Sequence, residues 1–209
     1  MSSPPIISTG RLEAFSDGVI AIIITIMVFD LKFSNVRTEQ TLWDILKPLI
    51  PKFLSYALSF LMLAIMWVNH HQLFHQIKKT DRKLLWLNIH LLFWMSLIPF
   101  ATNFIGASPL LPVASVAYGM VFFANALSFT IIRNYVSGKA KLVHESIQKG
   151  QMRSAKQKNW VGMFLYISAA LVAFVSVYIS FIIFLIVPAM YFIPQNIVHE
   201  SNTPIDGNQ

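Results

Sequence analysis

Three histidines crowd one short stretch of the chain, His70, His71 and His75. Neutral imidazole binds zinc, iron and copper, so such a cluster is a candidate metal site. Trp67, His71, Phe74 and His75 recur at three- and four-residue spacing and share one face of a helix. A membrane metalloenzyme at these histidines is one reading, but the chain has only six histidines and no HExxH pair. A second group of chemically active residues, Arg11, Glu13, Ser16, Asp17 and Asp30, lies in and beside the first apolar run. Ionisable groups at membrane depth are costly and turn toward a partner or water. With His70, His71 and Asn88 on other segments, Asp17 and Ser16 are expected to enter a buried polar cluster. That cluster would serve as structural support or as the relay of a proton- or cation-coupled transporter. There is no GxSxG, no paired catalytic carboxylates and no Walker A sequence, so no enzyme is expected. The carbonyl-filter sequence TVGYG is also absent.

Between the two acidic ends of the first apolar run lies VIAIIITIMVF, Val19 to Phe29. With Ile22 set at zero and about 100° per residue, Ile26 falls near +40°, Phe29 near −20° and Thr25 near −60°. These four residues form one stripe. On the same rotation Asp30 falls at roughly +80°, at the stripe's outer end, and Asp17 at roughly −140°, on the other side. One face would then present Ile22, Thr25, Ile26 and Phe29, while the other ties Asp17 to neighbouring helices. Periodicity alone does not separate a pore wall from a stripe that faces lipid or core.

The elements that carry these residues follow from composition. The 209 residues are 56% hydrophobic and 12% charged, with mean hydropathy +0.60. A soluble domain carries about 25% charge. The excess apolar surface must face lipid, which predicts an all-α, polytopic membrane protein. A spanning helix needs roughly 20 apolar residues. Such runs are Leu12 to Leu31, about Phe53 to Phe74, about Leu84 to Ile105 and about Leu111 to Ile132. The stretch Trp160 to Pro194 is long enough for two short helices, with a turn expected near Val177 to Ser180. Six spans would occupy residues 1–198, leaving 199–209 as a polar, disordered tail. Pro99 is expected to kink the third span.

Lys78, Lys79, Arg82 and Lys83 stand in one interhelical loop, and Lys139, Lys141, Lys149, Arg153, Lys156 and Lys158 in another. The positive-inside bias places both loops in the cytoplasm, with the N-terminus, and with the C-terminus if there are six spans. The net charge of +7 is thereby explained by topology, and no nucleic-acid partner is expected. Gly138 to Asn159 reads as a solvated loop, the alternative being an amphipathic or irregular linker whose lysines touch anionic headgroups. Met1 to Gly10 has no basic region ahead of a short apolar one, so no cleavable signal is expected. With no cysteine, disulfides and thiolate chemistry are excluded.

Arg11-Leu-Glu-Ala-Phe15-Ser16-Asp17 resembles the RxxxFSD signature of the transmembrane protein 175 family of potassium channels. Trp67-Val-Asn-His70-His71-Gln-Leu-Phe74 is similar to that family's WxxHHxxF pattern, and Asp81, Leu84 to Asn88 and Leu97-Ile-Pro99-Phe100 resemble its third-helix signature. The resemblance covers about half the chain, Arg11 to roughly Ile105. It implies a prokaryotic-type subunit of six spans, assembling in the cell membrane as a homotetramer whose first helix lines a central pore. Animal lysosomal relatives carry two such repeats. It further implies a constriction at Ile22, with Ile26 and Phe29 as further apolar layers and Thr25 as the hydroxyl position associated with potassium preference. Phe29 is bulkier than the leucine expected there. Asp30 would attract cations at the outer mouth. Arg11, Phe15, Ser16, Asp17, Trp67, His71 and Asn88 would form an interhelical network that holds the pore helix. No cofactor or bound metal is implied; potassium and other monovalent cations would pass transiently near Ile22 and Thr25.

Overall fold

The computed structural model describes residues 8–32, 41–138, 142–143 and 149–192, the last segment with side chains over 156–191. Among them every regular element is helical, apart from one isolated antiparallel bridge between Ile77 and Val143. Helix α1 spans Thr9–Ile26 and tightens into a 3-10 turn over Met27–Asp30. A short helix α2, Leu42–Leu46, precedes the long α3, Leu49–His75. Helices α4, Arg82–Ser96, and α5, Ile98–Ala107, form one bent rod. Helix α6 spans Pro112–Ser137, α7 Lys149–Val172 and α8 Val177–Phe192.

Four of these units are long and apolar enough to cross a membrane: Thr9–Asp30, Leu49–His75, Arg82–Ala107 and Pro112–Ser137. The break expected at Pro99 falls at Leu97, whose residue joins α4 to α5. Proline at the second position of α5 loses no hydrogen bond, because first-turn N–H groups have no acceptor in their own helix. The same reason lets Pro51 sit in the first turn of α3, so that helix begins four residues before the expected Phe53.

The last apolar stretch does divide in two, but at 173–176, ahead of the expected Val177 to Ser180. The Val175 and Ser176 N–H groups both turn back to the Val172 carbonyl, closing α7, and Ser180 N–H already reaches the Ser176 carbonyl, opening α8. The expected loop Gly138 to Asn159 is helical from Lys149 onward. Lysine, glutamine, methionine, arginine and alanine are good helix formers, so the helix extends past its apolar part. The tail at 199–209 lies outside the described residues.

Helix α1 packs on α3 and α4 at one edge; α6 is the hub that joins α4 and α5 to α7, and α7 leads on to α8. Tyr118, Phe122 and Phe184 fill the centre, with Tyr118 4.7 Å from Phe122 and 4.9 Å from Phe184 between ring centroids. Two buried hydroxyls are paired nearby: Tyr118 Oη lies 3.0 Å from Ser59 Oγ, and Thr102 Oγ1 donates to the Ile98 carbonyl at 2.7 Å. At the opposite end Lys78 N–H donates to the Leu142 carbonyl at 2.8 Å beside the Ile77–Val143 bridge. The two basic connections therefore meet at one end of the bundle.

Candidate functional site

Helix α1 has two unlike faces. Leu12, Ser16, Ile20, Ile23 and Met27 are buried against the bundle. Their i, i+4, i+7 spacing is the seam a helix needs to pack on two neighbours. Ile22, Thr25, Ile26 and Phe29 are exposed, together with Arg11, Ala14, Phe15, Gly18 and Ala21. Ile22 is 61% exposed and Phe29 67%. Thr25 donates its hydroxyl hydrogen to the Ile22 carbonyl at 2.9 Å, so the outward lone pairs of Oγ1 are available as acceptors.

The buried face is fastened by a directed chain of hydrogen bonds. Ser16 Oγ donates to the Leu12 carbonyl at 2.9 Å and accepts from Asn88 Nδ2 at 2.8 Å. Asn88 Oδ1 faces His70 Nε2 at 3.0 Å. Because the Asn88 amide nitrogen is spent on Ser16, its oxygen is the acceptor and His70 carries its proton on Nε2. Ser16, His70 and Asn88 are all fully buried, and His70 stacks on Phe74 at 4.1 Å. On the flank, Trp67 Nε1 donates to Asp17 Oδ1 at 3.0 Å. His71 Nδ1 lies 2.8 Å from Glu13 Oε1, close enough for an ion pair but off the hydrogen-bonding direction. Three spans are thus pinned at one level: α1, α3 and α4.

Asp81 sets the start of α4. Its Oδ1 accepts from Leu84 N–H at 2.7 Å as an N-cap, and its Oδ2 accepts from the Tyr135 hydroxyl on α6.

Several placements differ from those read off the sequence. Arg11 and Phe15 stand on the exposed face, outside the network. Their phase explains it: relative to Ile22 they fall at about −20° and +20°, in the middle of the stripe. His70, expected in the buried polar cluster but absent from the network that the family resemblance implies, is its innermost member. The signal was present in the run Ser55, Ser59, Met62, Met66, His70 and Leu73, whose spacing marks the buried seam of α3. Glu13 was likewise missed as the partner of His71. The three histidines do not converge on a metal position. His70 points into the bundle, while His71 and His75 stack on the exposed side at 6.1 Å.

Asp30 does not extend the stripe freely. Asn103 Nδ2 on α5 donates to its Oδ1 at 2.6 Å. The cause is the 3-10 turn. Three residues per turn means about 120° per residue, so four such residues carry Asp30 from roughly +80° to roughly +160°. Phe29 moves by less, to roughly +40°, and stays on the exposed face.

The comparisons agree with this geometry. The model of the family described as "Endosomal/lysosomal potassium channel TMEM175" matches residues 11–99, the segment that contains α1, the network and the α4–α5 bend. A potassium channel of Chryseobacterium sp. (strain P1-3) is 38% identical over 195 residues, 92% of this chain and 96% of that one. The mouse endosomal/lysosomal proton channel TMEM175 is 29% identical over 181 residues, and the match spans only 36% of its length. Among solved structures, the crystal structure of a lysosomal potassium-selective channel TMEM175 homologue from Chamaesiphon minutus superposes with a TM-score of 0.77 at 29% identity. It covers 88% of this chain and 95% of that one. Near-full-length likeness at this level, on top of the matched signature segment, decides the assignment: this membrane protein belongs to the TMEM175 family, which is a family of ion channels and not of enzymes.

Proposed function

We propose that the chain is a six-span subunit of a homotetrameric, potassium-permeable channel, with the exposed face of α1 lining a central pore. The observation that carries this reading is the division of α1. One face is tied to α4 by a buried hydrogen bond and to α3 by one at its exposed flank, and the other meets no partner among the described residues, with Ile22, Thr25, Ile26 and Phe29 along it. Relatives named potassium channels support the choice of ion. In the tetramer Ile22 forms the narrowest ring. An apolar ring dewets and opposes ion passage, so it gates without a carbonyl filter. Thr25 oxygens replace part of the ion's hydration, and no cofactor is needed. Asp30 attracts cations through its charge at that mouth, at a distance rather than by contact. Arg11 and Phe15 meet a neighbouring subunit rather than α3 or α4. Helices α7 and α8 complete the six spans, the basic end faces the cytoplasm with both termini, and the channel resides in the cell membrane.

Purified protein in planar bilayers is expected to carry potassium in preference to sodium. A barrier lowered by about 1.4 kcal/mol raises flux about tenfold, and Ile22→Asn, which hydrates the ring, is expected to raise basal conductance by at least that. Unchanged conductance in the variant removes Ile22 from the gate; absence of any cation current from folded wild-type protein removes the channel reading.

One observation favours a second reading, coupled transport through Asp17 and the α3 histidines: His70 Nδ1 is buried with no hydrogen-bond partner. Flux that saturates with potassium and stops without a proton gradient would select it.

A further inference from the structure

Arg133 is the least expected charge in the bundle. It lies on α6 one turn before the helix ends, at the end where the basic connections meet. Its side chain is only 9% exposed. Among the described residues its guanidinium makes no ion pair and no hydrogen bond. A charge removed from water costs several kcal/mol unless it is paired, so an arginine retained here calls for an anion.

The surroundings say what kind. Arg133 borders a cavity of about 30 Å³ between α3, α6, α7 and α8, with Asn69, Asn159, Tyr166 and Tyr191 among its lining. None of the described lining residues is acidic. Asn69 donates its amide to the Ile65 carbonyl, Asn159 donates to the Ala126 carbonyl and the Thr130 hydroxyl, and an uncharged amide does not neutralise a guanidinium. A second cation stands at the edge: Lys158 Nζ lies 5.8 Å from the centroid of the Tyr191 ring. The space admits one or two oxygens and not a whole molecule. An occupant must insert an oxyanion and leave the rest of itself outside, at the depth where a helix end meets the headgroup layer.

The geometry points to a binding site for the phosphate of an anionic phospholipid, held by Arg133 with Lys158 at the mouth. Arginine suits this role, since its planar fork donates two parallel hydrogen bonds to phosphate oxygens. Basic pockets between spans at this end of a membrane protein are suited to such headgroups. The charge of Arg133, which no described acid neutralises, selects lipids with an uncompensated negative charge over zwitterionic ones that share the same phosphate. The site is on the far side of α3 from the α1 stripe, and its occupancy does not depend on whether the protein conducts.

Native mass spectrometry of the full chain in detergent tests the site directly, with phosphatidylglycerol and phosphatidylcholine as the probes. Wild-type protein is expected to retain phosphatidylglycerol about tenfold better, the worth of one charge-assisted contact. Arg133→Gln is expected to abolish the preference, Arg133→Lys to keep most of it, and Lys158→Gln to weaken it in part. Equal retention of both lipids by wild-type protein overturns the proposal, and so does an intact preference in Arg133→Gln. Should Arg133→Gln not fold, an unchanged preference in Lys158→Gln overturns it. A thermal shift produced as fully by millimolar inorganic phosphate as by phosphatidylglycerol makes the ligand a free anion and overturns the lipid assignment.

Discussion

At the scale of single residues, Asn88 is the link on which the α1 anchorage depends. It accepts from His70 and donates to Ser16, so one side chain joins three helices. Asn88→Ala leaves the His70 Nε2–H buried without an acceptor. An orphaned buried donor costs about 1–3 kcal/mol, and thermal unfolding in detergent is expected to register a loss of that size. Because Asn88 is away from the exposed stripe, variant protein that does fold is expected to keep the wild-type preference between potassium and sodium. A changed preference would place the network in the ion path. These residues were unevenly legible in the sequence. Ser16, Asp17, Trp67 and Asn88 are recognisable as polar residues in apolar runs, and they do meet. His70 is legible as a member of that cluster but not as distinct from His71: consecutive helical residues point about 100° apart, so one faces the bundle and the other the surface. Asp30 was misplaced for another reason. Its position depends on a switch from α to 3-10 winding after Ile26, and no residue in Met27 to Phe29 announces one.

Among whole elements, α3 and α5 come close together at Gly106. A Cβ placed on Gly106 would stand 2.5 Å from Ser55 Oγ and 3.1 Å from the Lys52 Cα. The hydroxyl can rotate away but the backbone of α3 cannot. Gly106→Ala is therefore expected to push the two helices apart and to lower stability by about 1–3 kcal/mol. Ser55→Ala added to it should recover only part of the loss, because the Lys52 contact remains. Full recovery in a double-mutant cycle would mean that the hydroxyl alone sets the spacing. The helices themselves were easier to read than their ends. Apolar length reveals four spans because lipid leaves a long chain segment few choices. Break points are set by backbone pairing instead. The α7–α8 break is made by Val175 and Ser176 turning back onto Val172, and neither residue is a strong turn former. The basic start of α7 lacks the apolar length that marks a span, yet lysine and glutamine propagate a helix well.

For the molecule as a whole, many large apolar side chains are exposed along the spanning helices, as lipid contact requires. Exposure alone therefore does not single out the α1 face. Its composition does. Ala14, Gly18 and Ala21 alternate with the larger side chains, leaving room for close approach of another helix or a narrow axis, and small residues are the usual means of such approach in membranes. By contrast Phe100 on α5 is 67% exposed, as much as Phe29, and sits on a face with bulky neighbours such as Phe104 and Phe93. The two surfaces make opposite predictions for an assembly. The chain contains no cysteine, so a single introduced thiol reports on contact without background. Thr25→Cys is expected to form intersubunit disulfides under mild oxidation in membranes, because the proposed tetramer would bring four copies of the stripe to one axis and the thiols within the roughly 7 Å Cα separation that a bridge tolerates. Phe100→Cys, facing lipid, is expected to remain monomeric on a non-reducing gel. Potassium flux should fall as the Thr25→Cys bridge forms and return on reduction. Cross-linking at Phe100→Cys with none at Thr25→Cys would turn the subunit around, putting α5 on the axis and α1 against lipid. It would remove the pore from Ile22 while leaving the helical fold and the network on the buried side of α1 as they are.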